Sequence, residues 1–204
     1  MDNSLPLMII QPNASKYNII LKIFTVTIKI NIEVFMEIWD GYYKDGTLAN
    51  VDLIRGEPVP NGLYHLVCEA LVRHIDGDFL LMQRDFNKDM YAGFYEATAG
   101  GSALKGENKF QCIKRELLEE TGIVCDEFEE IAYNAFDNGN SLFYSFLCTV
   151  DCDKQSVKLQ KGETVSFKWV NEDEFIEFIN SDKMIDRQKM RYLNWFKSKG
   201  YIYK

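Results

Sequence analysis

GGSALKGENKFQCIKRELLEETGI, residues 100–123, is the stretch on which the reading of the whole chain turns. At about 100° per residue, a helix over residues 108–121 puts Phe110, Ile113 and Leu117 on one stripe, the face expected to enter a core. Glu116, Glu119 and Glu120 fall on a neighbouring stripe with Cys112 beside them, and Gly122 stands where a left-handed cap ends a helix. Three carboxylates within one turn repel, each like-charge pair costing about 0.2–0.5 kcal/mol. Arg115 alone does not neutralise them. A hard divalent cation does, because Mg²⁺ prefers carboxylate oxygens. An isolated ELLEE reads first as a solvated acidic surface, so the case for a site rests on wider spacing.

That spacing fits G-x5-E-x7-R-E-U-x-E-E-x-G-U, with U a bulky aliphatic, at Gly101, Glu107, Arg115, Glu116, Leu117, Glu119, Glu120, Gly122 and Ile123. Each fixed residue type occurs at roughly 6–7% in average proteins, so a chance match is about one in a million. The pattern resembles the box of the Nudix superfamily. The box covers a small part of the chain; the fuller resemblance runs from about Glu37 to the C-terminus. It implies an α/β fold, the Nudix-type α/β/α sandwich with a mixed sheet. It further implies that Glu116, Glu119 and Glu120 ligate Mg²⁺ or Mn²⁺, joined by the carbonyl of Gly101 and supported by Glu107, while Arg115 orients the glutamates. The implied reaction is attack of metal-activated water on a phosphorus of a nucleoside diphosphate-linked or similar small diphosphate substrate. For the general base, Glu163 is the first candidate and Glu120 the second; an exposed loop carboxylate is the alternative for Glu163. Arg84 ends an apolar strand where a phosphate contact is expected, with an ion pair to Asp85 or Glu96 as the alternative.

The flanks RGEPVPNGLYHLV and FLLMQRDFNKDMYAGFYEATAGG resemble the isopentenyl-diphosphate-isomerase-like branch of the superfamily, which holds both isomerases and hydrolases. Isomerase chemistry needs a protonating Cys and metal-binding histidines beside the short strand before the box. Here that strand reads Glu96-Ala97-Thr98-Ala99-Gly100 and has neither. His65 matches one family histidine, but a single His is read as a strand residue at the sheet surface. Hydrolysis is therefore expected, with an isomerase or a non-catalytic ligand-sensing module as alternatives. The aromatics Tyr91, Phe94 and Tyr95 are expected to pack rather than stack on a ligand.

Composition narrows the partners. With 23 Lys+Arg against 31 Asp+Glu the net charge is −8, which argues against binding polymeric nucleic acid. An acidic chain that handles phosphates needs cations of its own, and a divalent metal supplies them. The five cysteines form no CxxC pair, so reduced thiols in a cytoplasmic protein are expected. The most apolar stretch, Ile19 to Phe35, is broken by Lys22, Lys29, Asn31 and Glu33, so no membrane span is expected.

Residues 1–35 contain no Gly and no Arg and read as an N-terminal extension to a domain over 36–204. Apolar residues on even positions from Phe24 to Val34 read as one long amphipathic strand, whose edge would invite a homodimer. The alternative is that Met36 is the authentic start and the upstream segment is not native. From Met36 onward, strands are expected at Glu37–Tyr43, His65–Arg73, Asp78–Arg84, Phe94–Thr98, Glu129–Phe136, Leu142–Val150 and Thr164–Val170. A Pro/Gly-rich loop holding Gly56, Pro58, Pro60 and Gly62 is expected after the first, and closing helices at Glu172–Asn180 and Arg187–Lys197.

Overall fold

The computed structural model describes residues 8–13, 16–23, 26–33 and 36–203. The chain divides into two compact units, Met1–Ile38 and Trp39–Lys204. In the first, β1 (Met8–Asn13), β2 (Lys16–Ile23) and β3 (Val26–Glu33) form an antiparallel sheet in that order. Its register pairs Asn13 with Lys16 and Ile23 with Val26. The strand expected over 24–34 corresponds to β3, with positions 24, 25 and 34 outside the described residues. Two further strands precede it. Met8–Ile10 and Ile19–Leu21 are apolar runs without alternation, so the periodicity that exposed β3 is missing from them.

In the second unit, β4 (Ile38–Tyr42) pairs with β5 (Leu48–Ile54). β5 was not expected: only Leu53 in it is buried, so it carries no regular apolar face. The strands that follow are β6 (His65–His74), β7 (Phe79–Arg84), β8 (Tyr95–Glu96) and β9 (Ala99–Ser102). After α1 (Lys109–Thr121) come β10 (Glu129–Phe136), β11 (Ser141–Val150) and β12 (Thr164–Val170), then α2 (Glu172–Asn180) and α3 (Asp186–Ser198). The main sheet runs β10-β11-β6-β7-β12, with β9 on β6 and β8 on β7. β11 and β6 are parallel and the other pairs antiparallel, so the sheet is mixed.

β7 is nearly continuous in apolar residues because both of its faces are covered. Phe79 and Leu81 pack with Phe175, Ile179, Tyr192 and Phe196 from α2 and α3. Leu80 and Met82 face the other way, onto Leu117 of α1 and Ile123. Cys68 and Ala70 of β6 continue that second layer against Cys112 and Ile113. The result is the α/β/α sandwich, with α1 on one side of the sheet and α2 and α3 on the other. Among the described residues, no helix is long and apolar enough to cross a membrane.

α1 is turned differently from the expected stripe. Its buried residues are Cys112, Ile113, Leu117, Glu120 and Thr121, whereas Phe110 is 43% exposed and leans on Phe146 at 5.5 Å. The buried arc is centred near Glu120, and Phe110 lies at its edge. The helix thus inserts part of its acidic face. Both ends are fixed locally: Asn108 accepts from the Phe110 and Gln111 amides and Gln111 reciprocates, a capping box. Gly122, at φ 71°, closes the other end with its N–H on the Leu118 carbonyl.

Candidate active site

β9 lies against α1, and the contact is made possible by an absent side chain. A Cβ built on Gly101 would collide with the Glu116 carboxylate, so Gly101 leaves the room this glutamate occupies. One turn on, Glu120 is buried and accepts a hydrogen bond from the Gly100 amide at 3.1 Å. Glu119 points outward, about 45% exposed.

Arg115 works as the hub of this face. Its Nε reaches Glu107 Oε1 at 2.7 Å and its Nη2 reaches Oε2 at 2.9 Å, a two-point clamp. Nη1 reaches Glu116 at 2.7 Å and Glu119 at 3.2 Å, and Nη2 also donates to the Ser102 carbonyl at 3.1 Å. Hydrogen bonds donated to Glu107 and Glu116 push the Arg115 pKa up despite its partial burial. Partial burial opposes ionisation of Glu107, but Arg115 and the Leu104 amide outweigh it and hold that carboxyl below its usual value.

The inner carboxylates are less well compensated. Burial raises the pKa of Glu116, Arg115 opposes the shift, and the charges of Glu119 and Glu107 reinforce it. Burial pushes Glu120 well above the usual carboxylate range, and the charges of Glu96, Glu116 and Glu163 add to it. Only the Gly100 amide pulls the other way among its main influences. Among the described residues, no three His, Cys, Asp or Glu side chains already converge in the geometry of a metal centre. Arg115 instead stands among Glu107, Glu116 and Glu119.

Arg84 is paired with Glu96, Nη1 lying 3.1 and 3.2 Å from the two carboxylate oxygens, and it also donates to the Met90 carbonyl at 3.3 Å. Glu163 precedes β12, is ion-paired with Lys88, and is close enough for its charge to act on Glu120. His65 stacks on Trp39 at 4.4 Å and is 3.1 Å from the Asn140 carbonyl, a structural setting. Tyr91 and Phe94 meet edge to face at 5.9 Å.

Several residues around the site were not singled out from the sequence. Glu69, inside the apolar run of β6, takes a two-point bond from Arg191 of α3 at 2.7 and 2.6 Å, and Ser145 donates to it at 2.8 Å. Gln188 clamps Ala97 from both sides, accepting from its amide at 3.0 Å and donating to its carbonyl at 2.9 Å. A lone carboxylate inside LVCEALV was the one available signal, since buried charges are paired. Its partner lies 122 residues away and left no mark.

These features can be set against known proteins. A NUDIX domain model matches residues 64–196, well over half of the chain. An uncharacterized Nudix hydrolase of Listeria monocytogenes is 31% identical over 156 residues, spanning 74% of this chain and 89% of its own length. The chain belongs to the Nudix hydrolases. A second uncharacterized Nudix hydrolase, from Listeria innocua, is 27% identical over 150 residues with the same coverage. The Nudix fold is also shared with solved structures of low identity. A Deinococcus radiodurans protein superposes with a TM-score of 0.60 at 15% identity, over 76% of this chain and 96% of its own. The MutT protein of Methanosarcina mazei gives 0.53 at 22%, over 67% and 95%.

Proposed function

We propose that this Nudix hydrolase cuts the pyrophosphate bond of a small diphosphate substrate, nucleoside-linked or similar, with Mg²⁺ or Mn²⁺ bound on the inner face of α1. The observation that carries this reading is the under-compensated carboxylate array. Glu116 fits into the space left by Gly101, and Glu120 is buried beside Glu96 with no cationic partner among its main influences. A folded chain gains nothing structurally from such an arrangement, since buried charges are costly unless paired. All the donors are hard oxygens, the set that Mg²⁺ and Mn²⁺ prefer.

In this reading Glu116, Glu119 and Glu120 hold the cation, with the Gly101 carbonyl and Glu107 in support. When bound, the cation supplies neutralising charge for the diphosphate and lowers the pKa of water. Arg115 fixes the Glu107 and Glu116 carboxylates through its fork of hydrogen bonds. Glu163 takes the proton from the attacking water, and Lys88 sets its orientation. Arg84, anchored on Glu96, meets the substrate from the wall of the adjoining cavity.

Hydrolysis is favoured over double-bond isomerisation, even with the flanking resemblance to the isopentenyl-diphosphate-isomerase-like branch. Residues 94–101 contain no Cys or His, and the nearby thiols of Cys68 and Cys112 are fully buried in the core. A ligand-sensing role without turnover is disfavoured by a box that keeps every glutamate. The test is divalent-dependent phosphate release across a panel of nucleoside diphosphate compounds and prenyl diphosphates. Activity that vanishes with chelator and returns with Mg²⁺ or Mn²⁺ supports the reading. Isomerised product without phosphate release, or binding without any turnover, would replace it.

A further inference from the structure

Beside Glu96, whose charge acts on Glu120, the structure holds a cavity of about 470 Å³, within the range of small-molecule pockets. It is bounded by the segment after β7, the β10–β11 turn and the start of α3. A smaller cavity of about 90 Å³, lined by Gly100 and Thr98 among others, shares Glu96, Phe143, Gln188 and Arg191 with the larger one. The two cavities are therefore neighbours, and the smaller one reaches the strand that faces Glu120. Whatever is joined to a diphosphate held at Gly100–Gly101 has this space to enter.

The walls are aromatic and cationic. Tyr91 and Phe136 line it, and Phe143 is covered on one face by the Arg191 guanidinium at 4.3 Å. Three arginines line it: Arg84, Arg187 and Arg191. Two are neutralised one for one by carboxylates, Arg84 by Glu96 and Arg191 by Glu69. The exposed Arg187 side chain has no ion pair and no hydrogen bond to any described residue, and it sits one helical turn from Arg191 on the same wall. In a chain of net charge −8, the cavity carries one cation in excess.

We propose that this cavity binds the part of the substrate remote from the cut bond, and that Arg187 recognises an anionic group, a phosphomonoester or carboxylate, carried there. The proposal rests on the reading of the carboxylate array as the site of cleavage, and it names the substrate class: diphosphates with a second anionic group at the far end. A guanidinium suits such a group because it offers several donors in a fixed fork. Arg187 is a specificity-determining residue in this view and takes no part in the bond cleavage.

The experiment is equilibrium binding, by calorimetry with chelator in place of Mg²⁺ so that nothing is turned over, of matched pairs that differ by one remote phosphate. NADP⁺ with NAD⁺, and coenzyme A with its 3′-dephospho form, are such pairs. Native protein is expected to bind the phosphorylated member of at least one pair about tenfold more tightly. Arg187→Gln is expected to bring the two members level, and Arg187→Lys to restore part of the difference. Lys197→Gln, which removes the same charge from α3 off the cavity wall, is expected to leave the ratio intact. Equal binding of both members by native protein, no binding of any member, or a ratio unchanged in Arg187→Gln would overturn the proposal. Because binding is read without turnover, a pair that binds as expected but is not hydrolysed counts against the cleavage reading alone.

Discussion

Two charged clusters lie on opposite sides of the same sheet, and they are built on opposite principles. On the α3 side, Arg191 meets Glu69 through two bonds, Ser145 fills a further acceptor site, and the charges cancel, even though Arg191 also lines the cavity. On the α1 side, one arginine serves Glu107, Glu116 and Glu119, while Glu120 is buried with an amide as its partner. The first is a finished ion pair that ties a helix to a strand. The second carries surplus negative charge that the fold itself does not cancel. Buried charge that is balanced reads as architecture; buried charge left unbalanced reads as a place for a ligand.

The contrast is broken most directly on the α1 side. Glu120→Gln, or Glu119→Gln, is expected to abolish turnover, a loss of about a thousandfold or more, or ~4 kcal/mol in the barrier. The fold should survive. For Glu120→Gln, melting measured with chelator at neutral pH should give a Tm equal to or above the native one, because a carboxylate whose pKa is raised costs stability when ionised. Full activity in both variants removes the assignment of these glutamates.

The α3 side should respond in the reverse manner, in stability before chemistry. Arg191→Met strands Glu69 in the interior and is expected to cost about 3–5 kcal/mol in denaturant unfolding. Combining it with Glu69→Gln should recover most of that loss. A single variant as stable as native would show that the pair is not the buried anchor described.

Arg115→Lys sharpens the comparison at smaller scale. It keeps the charge but loses the fork that holds Glu107 and Glu116 together. A drop in kcat of about tenfold is expected, with KM little changed, and steady-state kinetics will show whether the two separate.

The smallest effect belongs to an exposed pair. Hydrogen bonds from Lys44 and Tyr64 hold the Asp137 carboxyl below its ordinary value of 3.8. Its stabilising contribution is therefore present above that value and fades as pH falls through the lower native one. Asp137→Asn should lower the Tm slightly at neutral pH and leave the acid end unchanged, so that the acid limb of a Tm-against-pH curve flattens.

How far the sequence reveals these regions follows from the range of the forces involved. α1 and its glutamates are legible because the constraint is local: a cap, an apolar stripe and carboxylates at fixed distances share 23 residues. The strands of the main sheet show through apolar runs and turn residues. β5 was missed because only Leu53 in it enters the core, and β1 and β2 because their apolar residues come in runs. The rotation of α1, which buries Glu120 and releases Phe110, depends on what β9 presents to it, and helical periodicity alone places the arc one step away. The Arg191–Glu69 pair, the Gln188 clamp and the Arg187 cavity join positions remote in sequence, so no local pattern announces them.

The most direct test of the central claim is a titration of native protein with Mn²⁺, the unbound ion followed by electron paramagnetic resonance. Native protein is expected to take up the ion saturably, and a Glu116→Gln, Glu120→Gln double variant still folded by circular dichroism is expected to lose that uptake. Uptake unchanged in that folded variant, or none in the native protein, would contradict the claim.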